Sequence, residues 1–242
     1  MTPHPGFIQV ERDGDVATIT LRREDKQNAL SAHLETALLR TLSTRAVTSS
    51  RVIILTGGDK VFSAGADITE LPAMTPDAID QYYRRSGSVY EAVATLPQPT
   101  ISAIAGYCLG GGLELALATD IRVADPTAVF GFPETSHGIL PSSGGISRSI
   151  RMIGMGRARD LVLRGHRIDA KKAENWGLIT ETTEMADQLN QAMVIAQSLA
   201  MTAPFALNIT KRVLDANADA SHRSGLFIEQ LAYSLLNNSS TT

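Results

Sequence analysis

Three consecutive glycines, Gly110-Gly111-Gly112, stand between a short apolar run and the helix-period segment Leu113-Glu114-Leu115-Ala116-Leu117-Ala118, and no other feature restricts the fold more. Glycine takes backbone angles denied to other residues and lets a ligand come against the main chain. The first N–H groups of the helix that follows have no partner inside it, and the helix dipole places partial positive charge beside them. A strand-glycine-helix junction is therefore suited to stabilising a developing negative charge. Glu114 falls three residues after Gly111, about one helical turn on, so its carboxylate shares that face. Taken alone, the junction also admits a plainer reading, in which the glycines close a tight loop and Glu114 complements the dipole. It matches neither GxGxxG nor a phosphate loop with its Lys-Ser/Thr, which sets nucleotide binding aside.

A second glutamate follows in Phe130-Gly131-Phe132-Pro133-Glu134, with Gly138-Ile139-Leu140-Pro141 and Gly144-Gly145 downstream. Two carboxylates beside an exposed helix N-terminus can share a water and move protons next to a stabilised anion. That points to acid/base chemistry on a carbonyl compound.

The segments around these residues alternate strand and helix. Phe7–Glu11 and Val16–Leu21 flank Asp13-Gly14 and read as a hairpin. Ser31 can cap a helix carrying Leu34, Leu38, Leu39 and Leu42. Arg51–Thr56 is a continuous apolar strand suited to burial on both faces. Thr100–Gly106, Ile121–Ala124 and Ala128–Phe130 are further extended pieces. Helix signals dominate from Gly145, in Ile146–Ile153, Arg157–Arg164 and Ala170–Trp176. Beyond Glu184 only helices are expected, broken at Pro204 and near Asn217–Asp219. An α/β core over residues 1–183 with a helical module over 184–242 follows from this order.

Composition narrows the partners. A net charge of −3 over 242 residues gives no electrostatic reason for nucleic acid or an anionic membrane. The single Cys108 excludes an intramolecular disulfide and suits a reducing compartment. Met1–Pro5 lacks a signal-peptide pattern, and no apolar run approaches the ~20 residues of a membrane helix. A cytoplasmic, soluble protein is the expectation. His4, His33, His137, His166 and His222 show no ligand spacing, so no metal is expected.

Ala64-Gly65-Ala66-Asp67-Ile68, Gly110–Ala116 and Phe130–Glu134 with Gly138–Pro141 stand in the order and spacing of the crotonase superfamily. The chain resembles an enoyl-CoA hydratase/isomerase. Asn28-Ala29-Leu30-Ser31 and Ala173–Ile179 match as well, and the resemblance runs from about Phe7 to Leu236. It implies a spiral of ββα units whose C-terminal helical module serves self-association, as a homotrimer or a dimer of trimers. It implies that the N–H groups of Ala66 and Gly111 form an oxyanion hole for a thioester carbonyl. Glu114 and Glu134 correspond to the two glutamates that hold a water in family hydratases. Lys26–Ala29 and Ala64–Ile68, Asp67 included, match segments lining the coenzyme A pocket, and Gly110 adjoins the oxyanion hole. Ser142 stands where the family more often has Gly, at a main-chain N–H that orients the water. No tightly bound cofactor is implied, since coenzyme A arrives with the substrate.

Both glutamates together favour hydration over the double-bond shift of relatives that keep one carboxylate. Another crotonase-type reaction, an isomerisation or hydrolysis, is the first alternative. A non-catalytic RNA-binding or scaffold relative is the second, and the acidic balance speaks against it. The family's acyl pocket draws on the stretch matching Leu71–Tyr90 and on the C-terminal helices. His137 departs from the apolar residue usual in the family, as a polar contact to the substrate or a histidine satisfied by nearby backbone. Tyr82, Tyr83 and Tyr90 are expected to pack or face solvent. The chain ends short of the basic tail helix that many relatives carry over the coenzyme A entrance.

Overall fold

The structure, a computed structural model, describes residues 6–67, 70 and 89–239. The chain reverses at Gly14-Asp15, one residue later than the expected Asp13-Gly14. Strands β1 (Ile8–Asp13) and β2 (Val16–Leu21) pair antiparallel, in register from Ile8↔Leu21 to Asp13↔Val16. The sheet then continues in parallel through β3 (Val52–Thr56) and β4 (Thr100–Ile104), and β4 is followed in sequence by β5 (Tyr107–Leu109). Next come β6 (Ile121–Ala124), β7 (Val129–Gly131), β8 (Arg167–Asp169) and β9 (Glu181–Thr182). One sheet has the order β1-β2-β3-β4-β6-β9 and the other β5-β7-β8. Every residue of β3 and β4 is buried, which is why Val52–Leu55 is an apolar run and not an alternation.

Successive turns deliver one strand to each sheet: β4 then β5, β6 then β7. This is the expected ββα spiral. Helix α1 (Ala32–Leu42) packs Leu34, Leu38 and Leu42 inward, with the Ser31 side chain accepting from the Leu34 N–H at 3.2 Å. Leu39, expected on the same stripe, lies on the outer side because its position is a quarter turn past Leu38. A single-turn helix α2 (Arg45–Thr48) precedes β3, and α3 (Gly111–Leu117) is the helix after the glycine run. Helix α4 (Gly145–Arg164) is bent at Gly154, where φ is 77° and ψ 160°, so it accounts for both helical segments expected there. Asp169 caps α5 (Ala170–Trp176) by accepting from the Lys172 N–H at 2.8 Å.

Three helices follow at the expected breaks: α6 (Gln188–Ala200), α7 (Pro204–Asn217) and α8 (His222–Ser239). They do not behave alike. Ala192, Ala196 and Ala200 recur every four residues on α6 and are buried against Val16, Val52, Ile54, Ile101 and Val123 of the sheet. Helix α6 thus belongs to the packed core. Helices α7 and α8 pack on each other and leave Phe205, Leu214, Leu226, Phe227, Leu231 and Leu235 exposed. Buried Lys211 ties α7 to the core, donating to Asp120 Oδ2 at 2.9 Å and to the Gln98 carbonyl at 3.2 Å. No single described helix is long and apolar enough to cross a membrane.

Candidate active site

Every residue of α3 is buried, and Glu114, only 4% exposed, would be costly there as a bare carboxylate. Its Oε1 accepts from two backbone groups, the Ser143 N–H at 2.7 Å and the Gly145 N–H at 2.8 Å. Gly145 permits that approach: a Cβ there would stand 2.8 Å from both Glu114 Cγ and Phe132 Cε1. Burial pushes the Glu114 carboxyl upward, while the N–H groups of Gly145 and Ser143 and the charge of Arg148 pull it down. Arg148 also donates to the Ser143 carbonyl at 3.0 Å and pairs with Glu91.

Glu134 approaches from the 3₁₀ turn Pro133–His137. It reaches the glycine run because Gly110, at φ 50° and ψ −127°, has no side chain; a Cβ there would lie 2.8 Å from Glu134 Oε1. Glu134 Oε2 is buried with no hydrogen-bond partner among the described residues. Burial, aided by the negative charge of Glu114 and opposed by a backbone hydrogen bond, raises its pKa to about 7. Both carboxyls titrate above the ordinary range, but in different surroundings. One is anchored by N–H donors and the other holds its proton near neutral pH.

Beside them, two main-chain N–H groups converge. Leu30 and Ala66 form an isolated parallel bridge, with the Leu30 N–H donating to Gly65 O at 2.8 Å and the Asp67 N–H donating to Leu30 O at 3.0 Å. In that pattern the Ala66 N–H points away from Leu30. It faces the glycine run: a Cβ placed on Gly111 would stand 3.5 Å from the Ala66 nitrogen. Neither the Ala66 nor the Gly111 N–H donates to an acceptor among the described residues. Two unspent donors at a helix N-terminus form a cradle for a carbonyl oxygen.

A cleft of about 350 Å³ opens onto this place. Of the residues expected at the site, Lys26, Ala29, Ala64, Ala66, Asp67, Gly110, Glu134 and His137 line it. Gly111 and Glu114 are buried in α3, and Ser142 is exposed on the loop beyond. The donors to Glu114 are the next residue, Ser143, and Gly145. Ile68, Tyr82 and Tyr83 lie outside the described residues. Tyr90 packs, as expected, with its hydroxyl 3.0 Å from where a Gly111 Cβ would be. The Asp67 carboxylate is taken by Arg23 at 2.7 Å, and Arg23 also donates to the Ala29 carbonyl at 2.9 Å. Asp67 therefore fastens two cleft-lining loops together. Gln27, within the expected Lys26–Ala29 segment, lines the cleft too; Tyr107 and Arg167 line it without having been singled out in the sequence, and the Arg167 guanidinium lies 5.1 Å from the Tyr107 ring centre.

A second hollow, of about 430 Å³ between residues 95–97 and α7, holds Lys211, Arg212 and Asp215 and has no paired carboxylates facing converging N–H groups. Among the described residues no group of His, Cys, Asp and Glu is placed to hold a metal ion.

The spiral, with the cradle and cleft at its centre, is the fold of crotonase-type enzymes. Residues 11–241 match the profile of the enoyl-CoA hydratase/isomerase family. The structure resembles the crystal structure of enoyl-CoA hydratase from Bacillus anthracis, with TM-score 0.88 and 37% identity, covering 94% of this chain and 89% of that one. It resembles enoyl-CoA hydratase from Thermoplasma volcanium with TM-score 0.90 and 32% identity, covering 96% and 92%. Enoyl-CoA hydratase domain-containing protein 2, a mitochondrial protein of Bos taurus, is 35% identical over 224 residues, 90% of this chain and 76% of the relative. The chain belongs to the enoyl-CoA hydratase/isomerase family.

Proposed function

We propose that this protein is an enoyl-CoA hydratase, adding water across the 2,3 double bond of a 2-enoyl-CoA thioester. One observation carries the reading: Glu114, gripped by two backbone N–H groups, faces a Glu134 whose proton is held to about pH 7. A base and an acid side by side are what hydration requires, whereas a double-bond shift needs one carrier.

The thioester carbonyl accepts from the N–H groups of Ala66 and Gly111. Glu114 removes a proton from water as the oxygen bonds to C3. The C2–C3 π electrons move toward the thioester, and the enolate oxygen gains charge against the two donors, each worth ~3 kcal/mol in comparable sites. Glu134 then delivers its proton to C2, giving the 3-hydroxyacyl thioester. A proton passing from Glu114 back to Glu134 restores the pair, so the balance is one water added. Each proton transfer contributes ~10²–10⁴-fold.

Lys26, Ala29, Ala64, Asp67, Gly110, Ser142 and His137 belong in this proposal to the binding surface for the coenzyme A portion and the acyl chain. No resident cofactor enters the scheme. A trimer or dimer of trimers would cover the exposed apolar residues of α7 and α8. A cytoplasmic setting suits the single buried cysteine.

The test is loss of the conjugated thioester absorbance on mixing protein with crotonyl-CoA and branched 2-enoyl-CoAs, with product mass showing one added water. E114Q and E134Q should each lose at least ~10²-fold in kcat while still binding crotonyl-CoA. Unchanged turnover in both variants would sink the mechanism. Acyl-CoA binding with no water gained on any enoyl substrate would sink the hydratase reading.

A further inference from the structure

We propose that Arg148 is the positioning residue for the general base, because its guanidinium fastens the short loop whose two N–H groups grip Glu114. The inference rests on the hydratase reading for its kinetic consequences and on geometry for its structural ones. Arg148 lies on the first turn of α4, with its side chain only 13% exposed. Nη1 donates to the carbonyl of Ser143 at 3.0 Å, and the N–H of that same residue donates to Glu114 Oε1 at 2.7 Å. Fixing the carbonyl fixes the plane of the Ser143–Gly144 peptide, and with it the loop that carries the second donor, Gly145. Gly144 is shaped for this: at φ 99°, a side chain there would run into the Arg148 guanidinium.

The other end of the fork reaches Glu91, on the helical residues 89–94. Glu91 is 65% exposed, so this pair adds little by itself, ~0–1 kcal/mol for surface ion pairs. Its value is directional, since it leaves the guanidinium one orientation in which Nη1 meets Ser143. Lysine cannot copy this, because a single ammonium lacks the planar fork that reaches both partners.

Charge works in the same direction as geometry. Arg148 of α4 favours the ionised form of Glu114, and the charge so held on Glu114 disfavours ionisation of Glu134 on the facing turn. The Gly145 and Ser143 N–H groups add to the pull of Arg148. Losing Arg148 therefore both loosens the donors and removes the compensating cation, and the base titrates higher.

The decisive experiment is the pH dependence of kcat/KM for R148M, with R151Q as control on the same helix. Arg151 also pairs with a carboxylate, Asp219, but at the surface and away from Glu114. The acid limb of R148M should move to higher pH, because the cation that favours the ionised Glu114 is gone. Activity should then fall severalfold more at pH 6 than at pH 8, with KM within about twofold; R151Q should match the parent. A loss in R148M that is equal at all pH values would mark a merely structural residue and overturn the proposal. R148K keeps the charge and decides the matter if R148M does not fold: its acid limb should stay in place while kcat drops severalfold, and parent-like kcat overturns the proposal. Carbon-13 NMR titration of Glu114 in R148K and parent separates the two readings. If no hydration is found, a loosened Glu114 resonance in R148K still supports the positioning role, and an unchanged one refutes it.

Discussion

Replacing Glu134 by glutamine should make the protein less active and shift its stability relative to the parent upward as pH rises through neutrality. In an unfolded chain this carboxyl titrates at its ordinary 4.5; in the folded protein burial and the neighbouring Glu114 raise it to about 7. The folded state therefore holds the proton more tightly than the unfolded one. Ionising Glu134 costs stability as pH rises from 4.5 to 7, a cost absent below that window and complete above it. At ~1.4 kcal/mol per pH unit, the rise from 4.5 to about 7 comes to about 3 kcal/mol, of which about 2 falls between pH 5 and pH 8. Glutamine does not titrate. It brings its own cost, because Oε2 sits where no described group can hydrogen-bond an amide, but that cost is the same at every pH. The quantity to read is how the stability difference between E134Q and parent changes with pH, by urea unfolding at pH 5 and pH 8 at fixed protein concentration. The variant should gain about 2 kcal/mol on the parent across that interval while losing ~10²–10⁴-fold in kcat. A difference that stays constant within 0.5 kcal/mol would show that Glu134 is not a proton-holding group, and the assignment of acid and base would fall with it.

Substitutions at two further positions probe the frame around the carboxylates. Gly145→Ala would put a methyl 2.8 Å from Phe132 Cε1 and 2.9 Å from Glu114 Oε1; it should cost about 1–3 kcal/mol by overpacking and over ~10² in kcat, and a parent-like rate would show that the Gly145 N–H does not hold the base. Asn28 is buried and takes the Arg23 N–H at 2.8 Å while donating to Gly57 O at 3.1 Å and Val61 O at 2.9 Å. Asn28→Ala strands three backbone groups and should lose about 3 kcal/mol in denaturant unfolding; Asn28→Asp, keeping the acceptor but neither donor, should recover less than half of it.

The parts of the site that the sequence discloses are those built by local backbone constraint. Gly110, Gly111 and Glu114 are three links of one short stretch, so spacing along the chain places them on one face. Glu134 is legible for a similar reason, since Phe132-Pro133 forces a tight turn that projects the next side chain. What stays hidden is closure through space. Ser143 and Gly145 hold Glu114 across 29 and 31 residues of chain, and nothing in the spacing says which N–H groups of that loop will face inward. From sequence, only the neighbouring Ser142 N–H is singled out, for orienting the water, and no donor to Glu114. Arg167 was hidden because β8, three residues long, is too short to show a period-2 pattern, and β9 is shorter still. The helical breaks at Pro204 and near Asn217 were legible from proline and polar punctuation. That α6 is buried while α7 and α8 are not was unreadable, because all three carry amphipathic patterns.

The two carboxylates stand on ground of different firmness. Glu114 is rooted in a helix with no exposed residue, so its amide protons should exchange only when the whole domain opens. Glu134 rides on a turn whose remaining members, Thr135 to His137, are exposed and pass straight into Gly138, and such a segment opens locally at small free-energy cost. Warming or mild denaturant would therefore retire the acid before the base. On the proposed mechanism, the state between those two thresholds is folded by any global probe, still able to polarise a thioester and activate water, and unable to finish the addition.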